Sequence, residues 1–465
     1  MKDSKKMKNN VSRLTIIIVA VLTISGFVYS FCILSSSQGY PRRYRDSDIP
    51  FIYKLNNSTP PDWVAPIDSG AHVWEKVRSS YWEFTNGGFT PINTDNRDGT
   101  NLVFFDFQGV NFPPGTNTIA YSRTWTSGGG SFFHALESDL VWNARDFPPS
   151  PTGASGQQDL RSTIAHEFGH HLGMGHQGAP GGPPGCGETI QAATMYGLSA
   201  SGDTTHRSLH IHDKAGVSVI YPSWILQGSV TDGSTGQPFE GVGIISDTLY
   251  AANTGPVESP TTGVYEYPGY VEDVTLTDVN GNYATTVLLQ QFNVMVAHFG
   301  YATQQTQVAF NNPGGIGQTE VKTIDFTMDL SPLANISGTV MDMTTSAPVA
   351  ATIEVFVTSD KPGAPSGVYA DTTTGVNGEY SFSMPAAENY LIVVTPEPPY
   401  PMEQHMVVDL ATGGQQVDFA LPHADVLLVN DDISQDNESN IQQTLINAGL
   451  LYHTWRTSEQ GSPDT

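Results

Sequence analysis

Apolar residues recur at every fourth position in Leu160, Ile164, Phe168 and Leu172, a spacing that puts all four on one face of a helix. Asp159 stands where an N-cap is wanted, and Gly173 can adopt the left-handed conformation that ends a helix. After Pro222 the pattern changes to short Val/Ile/Thr/Tyr runs broken by turn residues, the pattern of β-sandwiches. These runs repeat. Gly228-Ser229-Val230-Thr231-Asp232 matches Gly338-Thr339-Val340-Met341-Asp342, and Asn280-Gly281-Asn282-Tyr283 matches Asn377-Gly378-Glu379-Tyr380. Asp325-Phe326 and Asp418-Phe419 close the two units, and each Asn-Gly suits a type I′ hairpin turn. The third pattern is an apolar strand from Asp425 to Asn430, then Asp431 and Asp432, then a helical stretch from about Glu438 to Ala448. It reads as the opening of a doubly wound α/β unit that is left incomplete.

The chain opens with Lys2, Lys5, Lys6, Lys8 and Arg13, followed by an uncharged apolar run of 21 residues from Leu14 to Leu34. A basic start before such a run is an export signal, and the run is also long enough to anchor the chain in a bilayer. Val28-x-Ser30 offers a small-residue cleavage site. Either outcome makes the protein extracellular, secreted or held at the cell surface. The formal charge of −26, from 20 Lys+Arg against 46 Asp+Glu, argues against nucleic acid and anionic membrane as partners. The chain has two cysteines, Cys32 and Cys186. No disulfide framework is expected, and Cys186 reads as a free thiol in a Gly/Pro-rich loop.

The chemistry lies on the predicted helix. His166-Glu167-Phe168-Gly169-His170-His171-Leu172-Gly173-Met174-Gly175-His176 has the form H-E-x-x-H-x-x-G-x-x-H. His166 and His170, four apart, reach one metal from one helix face, and the turn at Gly173 returns His176 to the same ion. Three neutral imidazoles leave a coordination position for water, so the expected cofactor is one catalytic Zn2+. Glu167 is placed beside that position as the general base.

These residues resemble the metzincin zinc endopeptidases, and most of all the matrixins, over about Ile49 to Tyr221. The resemblance implies an α+β catalytic domain, a twisted mixed sheet with an active-site helix. Within it, Ala193-Thr194-Met195-Tyr196-Gly197 is similar to the Met-turn, which implies that Met195 forms an apolar floor under the histidines. Ile52 to Pro60 resembles the first strand; Ala71, Val73, Trp74, Val77 and Trp82 fit the following helix; Leu102 to Phe105 fits an inner strand. Glu137 to Asn143 resembles the edge strand that receives substrate, so an extended peptide is expected to pair near Leu140, with Tyr196 on the pocket wall. Asp213 to Tyr221 resembles the closing helix, with Pro222 where the family has Gly. Two departures stand out. His134 lacks the paired aspartate of the family's structural zinc loop, and no prodomain precedes the first strand. The two repeats resemble carboxypeptidase regulatory-like, transthyretin-like modules.

The expected domains are 1–36 leader, 48–222 zinc peptidase, 223–331 and 332–422 β-sandwiches, and 423–465 an incomplete βα segment. The segment from about Ile49 to Pro222 is expected to fold and cleave peptides alone. Structural calcium has no clear motif: Asp278 with Asn280 and Asn282, and the loop Asp95 to Gly99, read equally as turn chemistry. The function implied is hydrolysis of extracellular protein or peptide substrates by a monomer. The alternative is a surface adhesion protein whose sandwiches contact cell-surface or polysaccharide partners.

Overall fold

The computed structural model describes residues 29–36, 41–127, 133–177, 190–253, 257–258, 265–315, 319–423, 425–430 and 438–456. The protein is multidomain and mostly β. Its first domain is built on a mixed sheet of β3 (Phe51–Asn56), β4 (Phe84–Thr90), β5 (Asn101–Phe105), β6 (Ala120–Ser127) and β7 (Phe133–Trp142). The spatial order is β4-β3-β5-β7-β6; β3, β4, β5 and β7 run parallel and β6 antiparallel. Three helices accompany the sheet: α1 (Val64–Ala71), α2 (Leu160–Leu172) and α3 (Ile211–Ile220).

Helix α2 forms because its apolar stripe and both of its ends agree. Leu160, Ile164, Phe168 and Leu172 are all fully buried. The Asp159 carboxylate accepts from the Ser162 N–H at 2.8 Å, and Gly173 ends the helix at φ +106°. Phe168 packs against Tyr53 and Phe84 at ring separations of 5.0 and 4.8 Å. The Trp74 indole donates to the Ala165 carbonyl at 2.9 Å, locking the helix to the segment after α1.

Several expectations change here. The helix read around Ala71 to Trp82 lies earlier, at Val64–Ala71, and Trp74–Lys76 is a single 3-10 turn. Its apolar residues fill the core all the same: Ala71, Val73, Trp74, Val77 and Trp82 are buried. Strand β7, read as the substrate edge, is interior, hydrogen-bonded to β5 on one side and β6 on the other. Leu140 is fully buried in the core and cannot meet a substrate. Among the described residues the outer strand beside it is β6, which pairs only with β7.

The apolar run near the N-terminus also enters the fold. Its last part forms β1 (Tyr29–Ser35), where Phe31, Cys32 and Ile33 are fully buried. Cys32 is disulfide-bonded, which corrects the expectation of a chain without disulfides. The chain's other cysteine, Cys186, read as a free thiol, lies outside the described residues. After β1 comes β2 (Arg42–Arg43), parallel to the start of β7. No helix among the described residues is long and apolar enough to cross a membrane.

The two repeats are sandwiches with separate cores. In the first, β8 (Trp224–Asp232) pairs antiparallel with Asn282–Val287 and parallel with Glu320–Thr323 and Phe326–Met328. In the second, Leu333–Asp342 pairs in the same way with Glu379–Pro385, Gln415–Gln416 and Phe419–Leu421. The repeated motif has a mechanical basis. A Cβ at Gly228 or Gly338 would run into the carbonyl of Ile324 or Val417. Those same carbonyls accept from Tyr283 and Tyr380 at 2.7 and 2.6 Å.

The Asn-Gly turns are longer than type I′. Asp278 and Asn282 close a three-residue loop in which Gly281 has φ +73° while Asn280 is not in the left-handed region. The Asp278 carboxylate accepts from the Asn280 and Asn282 N–H groups, and Glu137 accepts from Asp98 and Gly99. At the C-terminal end, Val426–Asn430 and Tyr452–Arg456 pair in parallel across the helix Glu438–Asn447, a complete βαβ unit.

Candidate metal centre

Helix α2 carries His166 and His170 on one face, and the turn at Gly173 brings His176 to them. One ring nitrogen from each lies within 4.8 Å of the others, and all three residues are half-buried. The Nε2 atoms of His170 and His176 are 3.2 Å apart. The outer nitrogens of the two helical histidines are engaged: His166 Nδ1 meets the Thr194 carbonyl at 2.7 Å and His170 Nδ1 the Met174 carbonyl at 2.9 Å. A carbonyl can only accept, so each Nδ1 carries the proton and each Nε2 presents a bare lone pair to the centre. Burial keeps the rings neutral, pulling His166 down to about 4, His176 to about 3 and His170 well below the usual range. Neutral imidazole is the form that binds metal.

Glu167 is buried one step round the helix from His166. Burial pushes its carboxyl up to about 7, and a hydrogen bond from Ser122 pulls the other way. The Ser122 hydroxyl lies 2.8 Å from the Glu167 carboxylate and 3.0 Å from its backbone oxygen, so β6 runs directly beside the site.

Met195 is fully buried, and its sulfur packs so close to Gly169 that a side chain there would collide with it. Its turn hangs on Asp213, a buried carboxylate that accepts from the N–H groups of Thr194 (2.8 Å), Met195 (3.2 Å) and His210 (2.9 Å). Asp213 therefore sets the Thr194 carbonyl that orients His166. Tyr196 follows on the same turn, half-buried, in a parallel bridge with Gln177, next to His176. His134 lies in β7, half-buried and away from this cluster.

Sequence reasoning missed Ser122, Asp213 and Arg42. The Arg42 guanidinium donates to the His170 carbonyl at 2.6 Å from 128 positions away. Burial lowers its pKa to about 10. Of the three, only Asp213 left a local trace, as an acidic residue in the first turn of a predicted helix.

No protein-family model matches the chain, and no curated protein matches it. Solved structures similar to parts of it include a Streptococcal ancillary pilin, at 14% identity and TM-score 0.26, covering 43% of this chain and 62% of the pilin. The Bacillus anthracis TIE protein matches at 10% identity and TM-score 0.20, over 46% of this chain and 36% of its own length. The shaft pilin SpaA of Lactobacillus rhamnosus GG matches at 12% identity and TM-score 0.18, over 44% and 98%. TM-scores at this level establish no common fold. No family model supports the expected membership of the metzincin clan, its matrixin-like domain included, and that expectation is withdrawn.

Proposed function

We propose that the first domain holds one zinc ion on His166, His170 and His176 and hydrolyses peptide bonds, with Glu167 moving the proton. The observation that carries this reading is the convergence of three neutral imidazoles, two of which, His166 and His170, have their outer nitrogens committed to carbonyls. That donor set suits zinc and leaves a coordination position free. Zinc bound there would supply a Lewis acid and lower the pKa of a water to about 7.

The chain's own residues do the rest. Glu167, with its carboxyl near neutrality, takes a proton from the attacking water and returns it to the leaving nitrogen. Ser122 holds that carboxylate in place. The outer edge of β6 offers backbone donors and acceptors to an extended peptide, in the position first assigned to the strand around Leu140. Glu167→Gln should keep the metal and lower peptide hydrolysis by about 10²-fold or more. Wild-type activity in that variant would overturn the reading.

A second reading, surface attachment or adhesion, is favoured by the two sandwiches, each with its own core. Both readings place the protein outside the cell, in keeping with the basic-apolar start and the Cys32 disulfide. Retention of full-length Glu167→Gln on isolated cell walls would support attachment independent of catalysis; its passage unretained would count against it.

A further inference from the structure

The turn that delivers His176 is gripped from outside its own helix. The Leu34 N–H donates to the Gly173 carbonyl at 2.7 Å, and the Gly175 N–H donates to the Cys32 carbonyl at 2.8 Å. Ile33 and Met174 form an antiparallel bridge between these two bonds. Strand β1 thus holds the backbone on both sides of Met174, whose carbonyl orients His170 and whose second neighbour is His176. Arg42 closes the same corner by donating to the His170 carbonyl, and the Arg42 carbonyl fills the space a side chain at Gly173 would need.

The strap is itself held by the first sandwich. In that sandwich β9 (Gly243–Asn253) pairs with β10 (Tyr265–Leu276), and the far edge of β10 pairs with β1, Ile33 opposite Tyr267 and Leu34 opposite Glu266. A continuous ladder runs from the sandwich through β1 to the metal-ligand turn. Phe31 and Ile33, fully buried, join the core of the first domain.

We propose that β1 and β2 form a positioning strap for His170 and His176, anchored by the first sandwich. The proposal rests on the zinc reading of the site. It replaces the expectation that residues 49–222 suffice alone. Without the strap, the backbone after the left-handed Gly173 loses both hydrogen bonds that set its direction, and the third ligand becomes mobile.

The test uses the full chain, with zinc affinity measured by competition against a chromophoric chelator. Leu34→Pro removes the N–H that faces Gly173, and Arg42→Met removes the donor to His170. Each should weaken zinc binding by about tenfold or more, the usual scale for partners that orient ligands. Arg42→Lys should recover part of the loss. In a His176→Ala background, Leu34→Pro should cost less, because one of the two ligands it positions is gone and only His170, through Met174, remains. An equal further loss there, or wild-type affinity in Arg42→Met, overturns the strap. If Leu34→Pro does not fold, the two Arg42 variants decide the matter. A wild-type chain that binds no zinc overturns the site reading itself, a distinct result.

Discussion

The two sandwiches share one framework and differ in what lies against it. Both place a glycine under a carbonyl, a tyrosine hydroxyl on that carbonyl, and an aspartate at the turn that follows. Asp232 accepts from Tyr301 at 2.9 Å and Asp342 from Tyr400 at 2.7 Å. The second sandwich closes with four-stranded sheets. The first extends its sheet through β10 to β1 and so reaches the turn that carries His176. It also docks on the first domain. Arg78 donates twice to the Pro313 carbonyl, at 3.1 and 2.7 Å, and the Ser223 N–H donates to Ser79 at 2.9 Å. One module has thus become a wall of the domain that carries the three histidines, while its repeat has not. Repetition in sequence records the shared framework and says nothing of this difference in use.

The difference can be broken at the glycines. Gly228→Val and Gly338→Val each drive a side chain into a backbone carbonyl, and each should lower stability by about 1–3 kcal/mol, the cost of overpacking. Only Gly228→Val should also weaken zinc binding, because only the first sandwich continues to β1. Chelator competition on both variants reads this directly, and equal effects on zinc would erase the distinction. A smaller effect is expected at the junction. Arg78→Ala removes both hydrogen bonds to Pro313 and should destabilise by about 1 kcal/mol in thermal melts, since the arginine is solvent-exposed. A loss of several kcal/mol there would mean that the docking surface, and not the strap, ties the two parts together.

Much of this was legible where the determinants are local. The four-residue spacing of Leu160 to Leu172, the cap at Asp159 and the glycine at 173 lie within one helix, and all three act as their positions suggest. The ligand spacing is equally local, so the three histidines meet as the motif implies. What was not legible acts across long separations. Ser122 meets Glu167 from 45 positions away and Arg42 meets His170 from 128. Leu140 was misplaced because an apolar-rich stretch serves an interior strand as well as an edge. The true outer strand, β6, carries Ser122, Arg123 and Thr124, polar residues without the alternation that would have announced it. The apolar run ending at Leu34 also contains a strand that its composition did not announce. A stretch apolar enough for export is also apolar enough to be a buried strand, and composition does not separate the two.

His166, His170 and His176 are proposed to hold a catalytic zinc. The most direct test is elemental analysis of the full-length chain purified without chelators, beside His176→Ala and Glu167→Gln. One zinc per wild-type chain is expected, the same in Glu167→Gln, and strongly reduced metal in His176→Ala. A wild-type chain that carries no zinc, and takes up none on reconstitution, would contradict the proposal.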